Sequence, residues 1–423
     1  MRMALAIFAL LADPVHAQEF TSLKGHGGPI MDIAVSTAGQ VATASFDNSV
    51  GLWTGRDPKW LEGHDAAVNV VTLAAGVPVT GGDDFTVRLW GDAPRVLGRH
   101  KGKVTTLAVS PDGSFVLSGS WDGTIMQWPV NDGPGRLFAN PGSGVNDIAI
   151  APDGSVFAGT SDGALLRFEA PGTTPQRVVN HGFGVNQVVT GPGWVAYGAV
   201  DGGTRVVVAD TGAPLADFTL DRRPILSMAH HAETGQLAVG DGQGYIMIVD
   251  TDTWRIARDF RATRNGPVWA LAYSPDGAVI YAGGLDDVAY AWPVALLDEF
   301  DPAIDGERSF LRDAETMPNG ERQFMRKCSI CHSLDAGPSR KAGPTLHGLF
   351  GRRAGTVDGY PYSPILEGSA IIWGAETVDA LFDIGPDHYI PGSKMPMQVI
   401  AGTDDRADLI DFLKTATTKE KPE

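Results

Sequence analysis

Apolar and polar positions alternate along the first two-thirds of the chain in short bursts, each ending on a hydrophobic residue and each preceded by a polar turn. Four of them, at 49–53, 86–90, 124–128 and 164–168, end in Trp53, Trp90, Trp128 and Phe168. Two more, at 204–208 and 245–249, end in Val208 and Val249, and a seventh at 288–292 ends in Trp292. Runs of this length, rich in β-branched and aromatic residues and bounded by turn formers, predict strands. The turn ahead of each is built on aspartate: Asp47-Asn48, Asp83-Asp84, Asp122-Gly123, Asp162-Gly163, Asp201-Gly202, Asp241-Gly242 and Asp286-Asp287. These residue types are expected to supply the positive φ angles and local side-chain hydrogen bonds of hairpins. Pro-Asp-Gly at 111–113, 152–154 and 275–277 marks a second hairpin in three units, and Gly25-His26, Gly63-His64, Arg99-His100 and Asn180-His181 open several of them.

A period of about 40 residues with these signatures belongs to propeller blades, and the repeats resemble the WD-repeat family. The resemblance implies an all-β, seven-bladed propeller over 18–297. Its opening His and turn Asp side chains are then expected to hydrogen-bond within a blade, without any metal or catalytic role. An open array of blades would leave a strand edge unpaired, so the segment from Glu19 to Lys24 is expected to pair beside the strand ending at Trp292. The adjacent His230 and His231 would point to opposite faces of a strand and do not suggest a shared metal.

At 423 residues the chain exceeds one ordinary core. Its 53 glycines and 28 prolines stand beside a 43% hydrophobic share, which marks turn-rich globular protein instead of disordered polymer. A net charge of −17 argues against a nucleic-acid partner. Arg2, the apolar run from Ala4 to Ala12 and the small residues around Ala17 read as an export signal over 1–17. That run falls short of the roughly 20 residues a membrane-spanning helix needs. The expected location is therefore the periplasm, without a membrane span. The β rhythm stops after Trp292, an acidic connector occupies 298–316, a second domain covers 317–418, and 419–423 form a polar tail.

The chain has two cysteines, Cys328 and Cys331, three residues apart and followed directly by His332. Two thiols at this spacing can add to the two vinyl groups of a haem while the following histidine turns back to the iron. A thioredoxin-like dithiol should precede a helix in a βαβ setting, and a zinc site needs more ligands. The surroundings match neither. One covalent haem c is the cofactor expected.

From Asn319 to Thr417 the chain closely resembles mitochondrial-type class I cytochrome c, an all-α fold. The resemblance rests on the haem-attachment motif, on 343–352 and 360–363, on Trp373, on 389–395 and on the closing helix pattern at 406–414. It implies metal ligands His332 and Met395, with Met397 the runner-up and expected only to pack over the haem. It further implies that the Pro344 carbonyl fixes the His332 ring, and that Arg352, Tyr362 and Trp373 surround a haem propionate. Gly320 and Phe324 should pack against Leu409, Phe412 and Leu413. The family's tyrosine near 380–382 is missing and Leu366 replaces a common asparagine, so the hydrogen bonding beside Met395 is expected to differ.

Basic residues gather near the attachment site: Arg322, Arg326, Lys327, Arg340, Lys341 and Lys394. In the resembling family such positions steer docking onto acidic redox partners; here Arg326, Lys327, Lys341 and Lys394 are the expected docking residues. The functional expectation is single-electron transfer by a non-catalytic protein or the electron-transfer subunit of an oxidoreductase, with the propeller as a platform for a protein partner. The alternatives are a propeller that itself binds or turns over a substrate and exchanges electrons with the haem domain, and a propeller that senses a partner.

Overall fold

A computed structural model describes residues 21–220, 224–263, 266–297, 317–337, 339, 341–395 and 398–418. The expected export signal, the acidic connector, the polar tail, Arg340 and Met397 lie outside the described residues.

Among the described residues, 28 strands form seven four-stranded antiparallel sheets. Six are built from consecutive strands, the first running through Ile30–Val35, Val41–Ser45, Ser49–Thr54 and Asp57–Glu62. The seventh joins Val268–Tyr273, Val279–Gly284 and Val288–Pro293 to the N-terminal strand Thr21–Lys24. Thr21 stands opposite Ala291 and Lys24 opposite Val288, so the first strand closes the ring as expected. Neighbouring blades bury one another's faces. Leu117, Ile125 and Phe138 of the third pack with Val145, Ile148 and Phe168 of the fourth. Burying each such aliphatic or aromatic side chain stabilises the fold by about 1.5–3 kcal/mol. At the closing seam Leu23 and Ala289 meet Ile30, Val41 and Trp53 in the same way.

The opening histidines hold strands together. His26 contacts Asp47 Oδ2 through Nδ1 at 3.0 Å and Thr43 Oγ1 through Nε2 at 2.7 Å, and Trp53 Nε1 donates to the same Thr43 oxygen at 2.8 Å. His64 repeats this with Asp84 and Thr80, and His100 uses Ser118 beneath Trp128. His230 packs edge-on to Trp194, whereas His231 bonds Thr234 and the Pro275 carbonyl, so the two adjacent histidines serve separate neighbours.

The expectation for the aspartate turns needs one correction. Asn48, Gly123, Gly163 and Gly202 adopt positive φ as expected, but in the second blade the left-handed residue is Phe85 (φ 68°), and in the sixth it is Gly244. The turn there is one residue or more longer than the Asp-containing pair suggests. At Asp286-Asp287 neither residue has positive φ.

The second domain is helical: α1 (Asn319–Lys327), α2 (Pro364–Glu367), α3 (Ala375–Ile384), α4 (Pro386–Tyr389) and α5 (Thr403–Ala416). Helices α1 and α5 cross so closely at Gly320 that a Cβ there would lie 2.1 Å from the Asp408 carbonyl oxygen. Phe324 packs on Phe412 with ring centroids 5.5 Å apart, in a core shared with Leu409 and Leu413. Arg406 ties α5 to α3 through Asp379 at 2.7 Å. Among the described residues no helix is long and apolar enough to cross a membrane.

Candidate functional site

Helix α1 delivers the cysteines. Its last turn runs on through Cys328 N–H to the Phe324 carbonyl at 2.8 Å, and the chain then tightens, with Cys331 and His332 N–H both donating to the Cys328 carbonyl. This turn sets Cys328, Cys331 and His332 on the wall of one cavity of about 200 Å³. No disulfide joins the two cysteines, so both sulfurs are open to attachment. Before any group is attached, burial pushes the Cys328 thiol up to about 12 and the Cys331 thiol up to about 11.

His332 Nδ1 lies 2.8 Å from the Pro344 carbonyl, which can only accept, so Nδ1 carries the proton and Nε2 is left with a lone pair. Burial lowers the pKa of this imidazole, which keeps it neutral and fit for a metal. The next chain segment is pinned against the ring: Gly343 N–H donates to the Cys331 carbonyl at 2.7 Å. A Cβ at Gly343 would sit 2.5 Å from His332 Cε1, so only glycine allows this approach.

Leu366, Leu381, Phe382 and Ile390 add an apolar part to the lining and belong to the cluster that Met395 packs in. A polar corner is formed by Arg352, Tyr360, Tyr362 and Ser363. Arg352 gives two hydrogen bonds to the backbone carbonyls of His347 and Thr345, at 2.6 and 2.8 Å. Tyr362 accepts from Val357 N–H, and Tyr360 donates to the Ala342 carbonyl at 2.5 Å. Burial pushes Tyr360 up to about 12. The Ser363 hydroxyl is buried with no hydrogen-bond partner.

A flat, largely apolar group with an acidic edge fits this lining. The thiols would reach its periphery, His332 and Met395 would offer nitrogen and sulfur donors to a metal, and the orphaned Ser363 hydroxyl would serve a carboxylate in the polar corner. All eight residues expected at the site, Cys328, Cys331, His332, Pro344, Arg352, Tyr362, Trp373 and Met395, line this single cavity. Tyr360 and Ser363 were not foreseen, although both flank Tyr362 in the Tyr-Pro-Tyr-Ser run that carries it. The propeller's contribution was not foreseen either: Phe46, Asn48, Asp65, Ala66, Ala67 and Asp83 also border the cavity.

The expected docking cations differ in setting. Arg326 is exposed and Lys327 half-buried at the end of α1. Lys341 is half-buried, with its ammonium donating to the Ser329 carbonyl at 2.8 Å. Lys394 is exposed and stands 3.7 Å from Asp65 of the propeller.

Fold and site together define a β-propeller joined to a c-type haem domain. The WD domain, G-beta repeat profile matches residues 17–54, 91–129 and 254–292, reaching Trp53, Trp128 and Trp292 in turn. The Cytochrome c profile matches 318–417. A profile described as Strictosidine synthase-like, N-terminal, matches 146–168, within three strands of the fourth blade. Cytochrome c of Ginkgo biloba is 45% identical over 101 residues, 24% of this chain and 88% of that protein. The protein of Sesamum indicum is 46% identical over 101 residues (23% and 88%), and that of Chlamydomonas reinhardtii 40% over 104 (25% and 92%). Through its second domain the chain belongs to the cytochrome c family, and its cofactor is a covalently attached haem c.

Proposed function

We propose that the protein is an exported, periplasmic carrier of single electrons, with haem held by Cys328 and Cys331 and ligated by His332 Nε2 and Met395 Sδ, and with the propeller as a partner-docking platform. The observation that supports this most is the convergence of both thiols, the oriented imidazole and the methionine on one cavity. Haem c supplies an iron that gains or loses one electron. The chain's residues fix how it does so.

Pro344 orients His332 and raises its basicity as a donor. The soft thioether of Met395 favours the reduced metal and raises the potential. Leu366, Leu381 and Phe382 exclude water from the methionine side and lower the local dielectric. Arg352, Tyr362, Ser363 and Trp373, which share the cavity lining, would receive a propionate. With His332 and Met395 both holding the iron, no position on it would be left for a substrate, which favours transfer over catalysis.

The oxidised protein is expected to show the weak absorbance band at the red end that reports methionine ligation. Met395→Ala should abolish the band and Met397→Ala should retain it; the reverse pattern overturns the ligand assignment. Cell fractionation checks the location, with the mature chain expected to start at Gln18 in the periplasmic fraction.

A further inference from the structure

In an antiparallel four-stranded blade the turn between the second and third strands shares an end with the exit to the next blade. Phe46 and Asn48 lie in such a turn of the first blade, Asp83 in that of the second and Asp287 in that of the seventh, while Asp65, Ala66 and Ala67 form the exit from the first blade to the second. One end of three adjacent blades therefore presents carboxylates, and this is the end that borders the haem cavity. From the other side come two lysines. Lys394 pairs with Asp65, and Lys341 lies within electrostatic reach of Asp287 and Asp47.

We propose that the propeller docks in cis over the haem mouth, its acidic rim around Asp65 and Asp287 occupying the Lys341 and Lys394 face that an external acidic redox partner would use. This rests on the haem-domain reading above and adds a consequence to it. An external partner and the propeller compete for the same lysines, so electron exchange at this face requires the propeller to lift away.

The contact is suited to opening. Lys394 keeps 41% and Asp65 74% of its side-chain surface accessible, so the pair is solvent-exposed. A pair in that setting contributes little, and breaking it should shift a closed-to-open equilibrium by about two- to fivefold. Lys341 is held differently, since its ammonium is also anchored to the Ser329 carbonyl beside the attachment motif. It couples the rim to the haem segment, while Lys394 supplies the reversible contact.

Zero-length carbodiimide coupling of the full holoprotein tests this, because it joins an ammonium to a carboxylate only where they touch. At low salt a Lys394–Asp65 peptide is expected, and in a mixture of isotopically light and heavy chains it should stay unmixed. At about 1 M salt, where screening acts within roughly 3 Å, the yield should fall. Absence of the peptide at low salt, or light–heavy hybrids, overturns the proposal.

Small-angle scattering supplies a second readout. Asp65→Lys and Lys394→Glu should each raise the extended population about two- to fivefold, and the double swap should restore the compact form. Equal scattering of the single and double variants overturns it. Both readouts follow the polypeptide, so a haem with a different sixth ligand would leave them intact, while failure of the docking would leave the Met395 band in place.

Discussion

Gly343→Ala is the sharpest local perturbation of the haem-binding segment. The added methyl would lie 2.5 Å from Cε1 and 2.7 Å from Nδ1 of His332, and 2.9 Å from the Cys331 carbonyl oxygen. These neighbours cannot move freely: the ring is held by Pro344 at 2.8 Å and the Cys331 carbonyl accepts from Gly343 itself at 2.7 Å. Relief by rotating the imidazole costs about 0.5–1.5 kcal/mol as an off-rotamer side chain. Loss of the hydrogen bond to Pro344 adds about 0.5–1.5 kcal/mol, and residual overpacking about 1–3 kcal/mol. These overlap, so a net destabilisation of about 2–4 kcal/mol is expected. Guanidinium unfolding of the holoprotein, followed through the haem spectrum, measures it. Gly368→Ala is the control, because its Cβ would meet nothing nearer than the Pro364 carbonyl at 3.4 Å. It should stay within about 0.5 kcal/mol of the parent. Equal stability of the two variants, with an unchanged axial-ligand band in Gly343→Ala, would refute the claim that this glycine lets the chain close against the histidine.

Three further outcomes are expected. Thr43→Val leaves the Trp53 N–H and His26 Nε2 buried without their shared partner and should destabilise the propeller by about 2–5 kcal/mol in urea unfolding; Thr43→Ser should rescue most of this, as Ser118 already serves His100 and Trp128. Gly320→Ala should weaken the α1–α5 crossing by about 1–3 kcal/mol despite alanine's better helix propensity, since the neighbour it meets is a backbone carbonyl; a stabilised variant would show that the helices part at no cost. Enclosure by protein pushes Asp32 up to about 7 and Asp147 up to about 6, although both keep some solvent contact. Their folded forms hold protons that the unfolded chain has released, so the stability they contribute is full below about pH 4 and declines as pH rises through about 6–7. A protonated-carboxyl infrared band should be present in the folded protein at about pH 5 and gone at about pH 8; its absence at the lower pH contradicts the assignment.

The repeat was legible because several blades share the same local chemistry: an opening histidine, an aspartate turn and a terminal aromatic that meet across fewer than 30 residues, as His26, Asp47 and Trp53 do. The haem segment was legible for a similar reason, since Cys328, Cys331 and His332 are set by one helical turn. Residues whose roles depend on distant partners were harder to find. Asp32 accepts from Val71 N–H of the next blade, and Asp147 accepts from Thr106 behind and Val188 ahead, so each stitches blades about 40 residues apart. The only trace in sequence is an acid two places after the first apolar residue of an inner strand, at Ile30 and Val145. Phe85 takes a left-handed conformation that a bulky residue adopts only when the turn's length demands it, which no composition rule signals. In the sequence Asp65 is one acid among many in an acidic chain, and the approach of Lys394 from the other domain is what distinguishes it.

The most direct test of the central claim is peptide mass spectrometry on full-length protein exported from cells competent for haem attachment. The account predicts one peptide containing Cys328-Ser329-Ile330-Cys331-His332 that carries a single haem bound through both sulfurs. The same peptide recovered with two unmodified thiols would contradict it.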